Sequence, residues 1–328
     1  MKKLIVLVMC LLAAGFLVVG CGKKDDSEKV VVLKLAHGLD TSHPVHKGMV
    51  EMSRLVAEKS QGRLRIDIYP GEQLGSEREC IEQLQIGALA MTKISTAALE
   101  NFVPEVKVLG LPYLFRDSDH CWKVLLGDIG KELMAAGESK GLKGLCFYDA
   151  GARSFYSKKP IRTPADIVGL KVRVIKSNMA MKMIEAMGGS ATPIDWGELY
   201  TSLQQGVVDA AENNPPSFLT SRHYDVCKYY ALDEHTCPPD LLLISNVAWN
   251  KLSPEFQVIL QAAATESVGY QRKLWAEKVE ESLKIVKEAG VEVSYPDKGP
   301  FREAVKSLWN EFEGTDVMKM ARRIEQVQ

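Results

Sequence analysis

Residues 169–177 read GLKVRVIKS. Leu170, Val172 and Val174 alternate with Lys171 and Arg173, the period-two pattern of a strand. What surrounds the stretch sets its context. Thr163-Pro164-Ala165-Asp166 is a helix start, with a capping hydroxyl, proline at the first helical position and an acid in the first turn. Gly169 ends that short helix. Ser177 caps a second helix running through Met187, which Gly188-Gly189 stops. Asp195-Trp196-Gly197-Glu198 fits a capping box, and its helix ends at Gly206. VVDAAE, residues 207–212, is then a strand that feeds into Asn213-Asn214-Pro215-Pro216. A βαβ unit therefore separates Arg173 from Asn213, and both lie near the C-terminal ends of neighbouring parallel strands. Open α/β sheets bind ligands along that edge.

The first half of the chain repeats the alternation. VVLKLAHG (31–38) and LRIDIYP (64–70) read as strands. Between them lies an amphipathic helix with Met49, Met52, Leu55 and Val56 on one stripe and Gly62 past its end. Ser76 caps a helix that leads into a short strand. VKVLGLPYLF (106–115) is apolar and broken by Pro112. A further strand in LKGLCFYDAGARSFY (142–156) ends in a turn carrying Arg153. The order predicts parallel sheet with helices on its faces. Ser253-Pro254-Glu255 opens a helical pattern reaching Gly290, with Phe256, Leu260, Ala263, Ser267, Leu274, Val279, Leu283 and Val286 on one stripe. At 1.5 Å per residue it spans about 54 Å, more than one small domain, and so braces two lobes. Strict heptads fail, which argues against a coiled coil.

The composition is ordinary for a globular chain: 328 residues, 46% hydrophobic, 25% charged, net charge -1. That length accommodates two domains. No basic run suggests a nucleic-acid footprint. At the start, Lys2 and Lys3 precede an apolar run from Leu4 to Val19, roughly 16 residues and short for a spanning helix. The run ends LVVGC, similar to a bacterial lipobox with Cys21 as the acylated residue, and GKKDDSEK (22–29) follows as a polar tether. A plain secretory signal and a retained anchor are the alternatives. All three place the body of the protein outside the cytoplasm, in the periplasm or an equivalent extracytoplasmic space. The cysteines Cys80, Cys121, Cys146, Cys227 and Cys237 are odd in number and lack C-x-x-C spacing. They read mostly as buried apolar residues, with Cys227–Cys237 a candidate disulfide.

Several chemistries lack their context. Gly137-Glu138-Ser139-Lys140-Gly141 matches G-x-S-x-G, but helix precedes the serine and strand follows it, the reverse of a nucleophile elbow. Nucleotide-binding glycine motifs and H-E-x-x-H are absent, so no cofactor is expected. His37, His43 and His46 raise zinc, yet only Asp40 stands nearby, and they read better as loop and cap groups or ligand hydrogen-bonders. No catalytic and no metal-ligating residue is assigned.

Arg173 needs an account, because an unpaired buried guanidinium costs several kcal/mol. One reading is a salt bridge to an internal acid. The other is a ligand carboxylate, which the planar fork of arginine matches with two parallel bonds. Arg153 after the preceding strand supplies a second cation, and Asn213 an amide that both donates and accepts.

The stretch 169–218 closely resembles the solute receptors of tripartite ATP-independent periplasmic (TRAP) transporters of the DctP type. So do IYPGEQLGSERECIEQLQIGALAMT (68–92) and LGLPYLFRD (109–117). The resemblance runs over essentially the whole chain after the N-terminal segment. It implies a two-lobed α/β fold like that of periplasmic binding proteins, with hinge crossovers and a long helix spanning both lobes. The expected division is 1–20 signal peptide, 21–29 lipidated cysteine and tether, 30–150 with about 239–278 as one lobe, and 151–238 with about 279–328 as the other. It also implies a receptor, not an enzyme, that closes on an organic acid and works with the small and large membrane subunits of an ion-gradient-driven transporter. In that reading Arg173 clamps the carboxylate, Arg153 neutralises it further, Asn213 orients it, and Glu77 and His37 meet ligand hydroxyls. GALAMTKIS, NNPPSFLTSRHYDV and LDEHT look like the receptors for sugar acids, hexuronates or aldonates. C4-dicarboxylates and other small hydroxy or oxo acids are the alternative. A second carboxylate would call on Lys93 or His235, and a polyol tail on Glu77, His37 and Asp240. A metal receptor and an exported hydrolase are more distant alternatives.

Overall fold

The computed structural model describes residues 30–328. Cys21 and the rest of the N-terminal segment lie outside them. Among the described residues no helix is long and apolar enough to cross a membrane.

Eleven strands are described and form two sheets. The first sheet has the order β2-β1-β3-β10-β4, built from β1 (Val31–Ala36), β2 (Leu64–Tyr69), β3 (Met91–Ser95), β4 (Leu142–Tyr148) and β10 (Asp240–Ser245). The second has the order β11-β9-β5-β8-β6-β7, from β5 (Arg153–Ser157), β6 (Lys171–Val174), β7 (Ser190–Pro193), β8 (Ala210–Asn213), β9 (Tyr229–Thr236) and β11 (Glu292–Ser294). β1 pairs in parallel with β2 and β3, and β6 with β7 and β8. The sheets are nonetheless mixed, not parallel throughout. β10 runs antiparallel between β3 and β4, and β5 runs antiparallel between β8 and β9.

The reason lies in two short crossovers. Residues 149–152 take the chain from β4 to β5, and residues 237–239 return it from β9 to β10. A parallel neighbour needs a connection of about a dozen residues. These short links instead pass each strand into the other sheet, where it pairs with what is there. Gly151 sits in the first link at φ +58°, and a Cβ there would stand 2.9 Å from the Trp275 ring, so only glycine fits. Arg153 consequently opens strand β5 instead of lying in the turn before it.

The long helix, Pro254–Glu288, is the third link. Its N-terminal half packs on helix Pro44–Lys59 and on β4, and it also touches helix Pro215–Thr220 and β11 of the second lobe. Gly48 allows the helices to approach, since a Cβ there would fall 2.7 Å from Gln271. The last helix, Asp316–Glu325, departs from the expected division. It returns to the first lobe, where His120 Nε2 meets the Ile324 carbonyl at 2.9 Å and Arg116 donates to the carbonyls of Glu325 and Val327. Its apolar stripe of Met318, Ala321 and Ile324 requires cover, but periodicity does not say which lobe provides it.

Two smaller expectations are corrected. The side chain of Asp195 caps no helix and pairs with Lys176 at 2.6 Å. Cys227 and Cys237 are both free thiols, and the neighbour of Cys237 is Cys121.

Candidate functional site

Strands β5, β8 and β6 lie side by side and bring Arg153, Asn213 and Arg173 to one edge of the second sheet. Arg173 pairs in register with Ala211 of β8 and Thr192 of β7. Val172 and Val174 point into the core and are fully buried. That alternation turns Arg173 toward a cavity between the sheets with about 170 Å³ of room for water centres, an order of magnitude beyond what one water needs. From the second lobe, Arg153, Arg173, Lys176, Asp195, Trp196 and Asn213 line it. The facing wall carries Glu72, Glu77, Lys93, His43 and Asp240.

The two arginines have different surroundings. Arg153 commits four of its five N–H donors: Nε and Nη2 grip the Glu212 carboxylate, Nη2 also donates to the Glu212 carbonyl at 2.8 Å, and Nη1 donates to Asn213 Oδ1 at 3.0 Å. Behind it the buried His235 bridges Asp233 at 2.9 Å and Glu212 at 3.4 Å. Burial opposes a charge on His235, but the two carboxylates outweigh it and raise its pKa to about 9. Burial likewise disfavours ionised Glu212, yet Arg153 and His235 hold it at about 2. Asp233, His235, Glu212 and Arg153 thus form a buried chain of alternating charge.

Arg173 is 2% exposed, and Nε donates to the Ile194 carbonyl at 2.9 Å. The Trp196 ring lies under the guanidinium, 5.8 Å from its carbon. Among the described residues no carboxylate pairs with Arg173, and its two terminal nitrogens find no acceptor. Burial therefore lowers its pKa, whereas Glu212 more than offsets burial and raises that of Arg153. Asn213 is oriented by its neighbours: Oδ1 accepts from Arg153 and from the Asn214 N–H at 2.9 Å, which aims the amide NH₂ at the cavity.

Across the cavity, Lys93 lies between Glu77 at 3.2 Å and Asp240 at 3.3 Å, and Glu77 also accepts from the Ser95 N–H. Burial raises the pKa of Glu77. Glu72 is half-buried and accepts from the Gly197 N–H of the second lobe at 3.1 Å.

His37 does not reach the cavity. Its Nδ1 accepts from the Leu39 N–H at 3.1 Å, so Nε2 carries the proton and meets His46 at 3.0 Å. Burial and the Lys93 cation push its pKa down to about 3. His43 takes its place on the wall, capping helix Pro44–Lys59 and reaching Ser217 at 3.2 Å. Among the described residues no set of three or more His, Cys, Asp or Glu side chains is placed to hold a metal. Ser139 sits in a one-turn 3₁₀ helix that leads into β4. The sequence reading gave Trp196 and Glu72 no place in the site, whereas His43, read there as a cap group or ligand hydrogen-bonder, is the helix cap. Glu72 adopts φ +58° just after Gly71, a turn signal that names no function.

A model of the bacterial extracellular solute-binding proteins, family 7 (DctP), matches residues 35–315. The chain belongs to this family. Family 7 receptors of the TRAP type are extracytoplasmic solute-binding proteins, not enzymes; they take up small organic acids and work with TRAP membrane subunits. A TRAP solute-binding protein of Xanthobacter autotrophicus Py2, solved with beta-D-galacturonate, is 41% identical with a TM-score of 0.88, covering 90% of this chain and all of that one. One from Pseudomonas putida F1 with D-glucuronate is 37% identical, TM-score 0.88, over 91% and 98% of the two chains. The 2,3-diketo-L-gulonate-binding periplasmic protein of Escherichia coli K12 is 31% identical over 89% of this chain and 92% of its own. The two-lobed fold and the long helix of this receptor follow the solved relatives.

Proposed function

We propose that this receptor binds a hexuronate or a closely related sugar acid. Arg173 receives the carboxylate, Trp196 backs the ring, and the facing wall takes the hydroxyls. The observation that carries this reading is that Arg173, among the described residues, is the one lysine or arginine on the cavity lining without a carboxylate partner. Arg173 is buried in the cavity with two donors lacking a protein acceptor, while each other cation on the lining has a carboxylate: Arg153 with Glu212, Lys93 with Glu77 and Asp240, Lys176 with Asp195, Arg78 with Glu82. A second ligand carboxylate would lie against Glu77 and Asp240 with no cation to spare. Lys93 is held twice, and His235 stands behind Arg153, pinned between Asp233 and Glu212. A hydroxyl both donates and accepts, and so suits the Glu77, Asp240 and Asn213 side chains. This favours a sugar acid over a C4-dicarboxylate. The galacturonate and glucuronate bound to the solved relatives point the same way.

Arg153 orients Asn213 in this reading and meets the ligand with at most its one remaining N–H. Closure removes water, which strengthens the polar contacts, and the ligand's preference for the closed form drives it. We also propose that Cys21 carries a lipid anchor, on the lipobox-like LVVGC alone; Cys21→Ser should release the protein from membranes, and a variant that stays bound would refute it.

Calorimetric titration of the purified protein with D-galacturonate, D-glucuronate and succinate tests the ligand assignment. A uronate should bind at least about a hundredfold more tightly than succinate, equivalent to about 2.7 kcal/mol. Equal or tighter succinate binding would overturn it.

A further inference from the structure

Glu100 is a buried carboxylate outside the cavity lining. It closes the one-turn helix Thr96–Leu99 of the first lobe, is 2% exposed, and points across to the second lobe. There, its Oε1 accepts from the Ser177 hydroxyl at 3.0 Å and from the Met179 N–H at 3.0 Å. Both belong to the start of helix Asn178–Ala186, and Met179 contributes one of the amides that a helix leaves unpaired in its first turn. An anion is favoured at this end of the helix dipole. The next residue repeats the connection: Asn101 Nδ2 donates to the Lys176 carbonyl at 2.8 Å, and its Oδ1 faces the Asn178 amide at 3.3 Å. Two consecutive residues of one lobe therefore hold residues 176–179 of the other. Those residues directly continue strand β6, which carries Arg173.

We propose that Glu100 is a positioning residue for ligand retention: it caps helix Asn178–Ala186 whenever the lobes close, with or without ligand, and thereby holds the strand bearing Arg173 over the bound acid. The other oxygen, Oε2, is buried and has no partner. Opening would return that oxygen to water and cost the Ser177 and Met179 bonds. The two effects oppose each other, so the contact steadies the closed state without locking it. The proposal rests on the closable-cleft reading of the receptor, and its test has one arm with ligand and one without.

With ligand, stopped-flow dissociation of D-glucuronate or D-galacturonate should be about tenfold faster in Glu100→Ala, with Kd raised in proportion, about 1.4 kcal/mol. Glu100→Gln keeps an acceptor in place and should recover part of the loss. Unchanged dissociation in Glu100→Ala, or an equal loss in the glutamine variant, would overturn the role. Without ligand, amide hydrogen exchange should rise in Glu100→Ala over residues 96–102 and 177–181 while both sheets stay protected. A rise spread through both sheets would mark Glu100 as a general structural residue and refute the proposal, as would no rise at all. The exchange arm needs no ligand, so it separates failure of this inference from failure of the uronate assignment. Asn101→Ala removes a neighbouring contact of the same connection and should shift exchange in the same two segments; its silence would count against the proposal even if Glu100→Ala did not fold.

Discussion

Replacing each arginine by methionine should have opposite consequences, because one guanidinium is paired and the other is not. In Arg153→Met the Glu212 carboxylate loses its bidentate partner while remaining 2% exposed, with only His235 left beside it. Removing one partner of a buried ion pair costs about 3–5 kcal/mol. The ligand-free protein should lose a stability of that size, read as a lower urea midpoint. In Arg173→Met the loss is one hydrogen bond, Nε to the Ile194 carbonyl at 2.9 Å, worth about 1 kcal/mol. Against it stands the relief of a buried cation without a counter-charge. The two nearly cancel, so stability should change by less than about 1 kcal/mol. Binding behaves differently. A two-pronged charge-assisted contact disappears, roughly 3 kcal/mol or more, and uronate affinity should fall by at least about a hundredfold. Urea unfolding of both ligand-free variants, with calorimetric titration of the folded ones, measures all three quantities. Arg173→Met that unfolds as readily as Arg153→Met, or that binds uronate within a few-fold of the parent, would refute the assignment of Arg173 as a ligand group.

Acid and base should erode stability for separate reasons. His235, raised to about 9, contributes stability that is complete below about pH 6.5 and lost as pH climbs through about 9; His235→Gln should flatten that limb of the pH–stability curve. His37 and His223, both lowered to about 3, are neutral in the fold and protonate on unfolding, so their stability is lost as pH falls from about 6.5 toward 3. A midpoint rising steadily from pH 6.5 to 9 would contradict the first assignment. Burial lifts the thiols of Cys80 to about 11 and those of Cys146 and Cys227 to about 12. Without denaturant, alkylation followed by peptide mapping should modify Cys237, the half-buried one, ahead of these three, and a Cys227–Cys237 cross-link in the same map would contradict the structure.

Helix starts were legible because capping chemistry is local. Ser76, Ser177 and Ser253 cap the helices that their side-chain type and the following residues announce. Asp195 carried the same signature and failed, since Lys176, some twenty positions away, offers its carboxylate a stronger partner than an amide does. The mixed direction of the sheets was not legible. An alternating strand pattern looks the same whichever way its neighbours run, and the crossovers at 149–152 and 237–239 carry no direction in their composition. Arg173 stood out because it interrupts an otherwise apolar strand. His37 was misread because a histidine after a strand looks the same whether its nitrogens face a cavity or, as here, a backbone amide and a second histidine. Glu100, in an apolar stretch, gave no signal at all: its partners lie 77 and 79 positions later and belong to the other lobe.

The pairing of the two arginines bears on how such a cavity stays both stable and open to a ligand. A lone buried cation would draw the nearest carboxylate into the cavity and close the site on itself. Here Glu212 is the acid one strand away from Arg173, and Arg153 with His235 already occupies it from behind. Both Glu212 oxygens are committed, which leaves the Arg173 donors available for the acid proposed to bind there. In this argument Arg153 preserves the specificity of its neighbour more than it attracts the ligand. Weakening the Arg153–Glu212 pair should then cost affinity even where the fold survives. Arg153→Lys, which keeps the charge but not the fork, should free one Glu212 oxygen toward Arg173 and weaken uronate binding about tenfold, with Arg173 left in place. Titration of that variant with undiminished affinity would show that Arg173 needs no such protection.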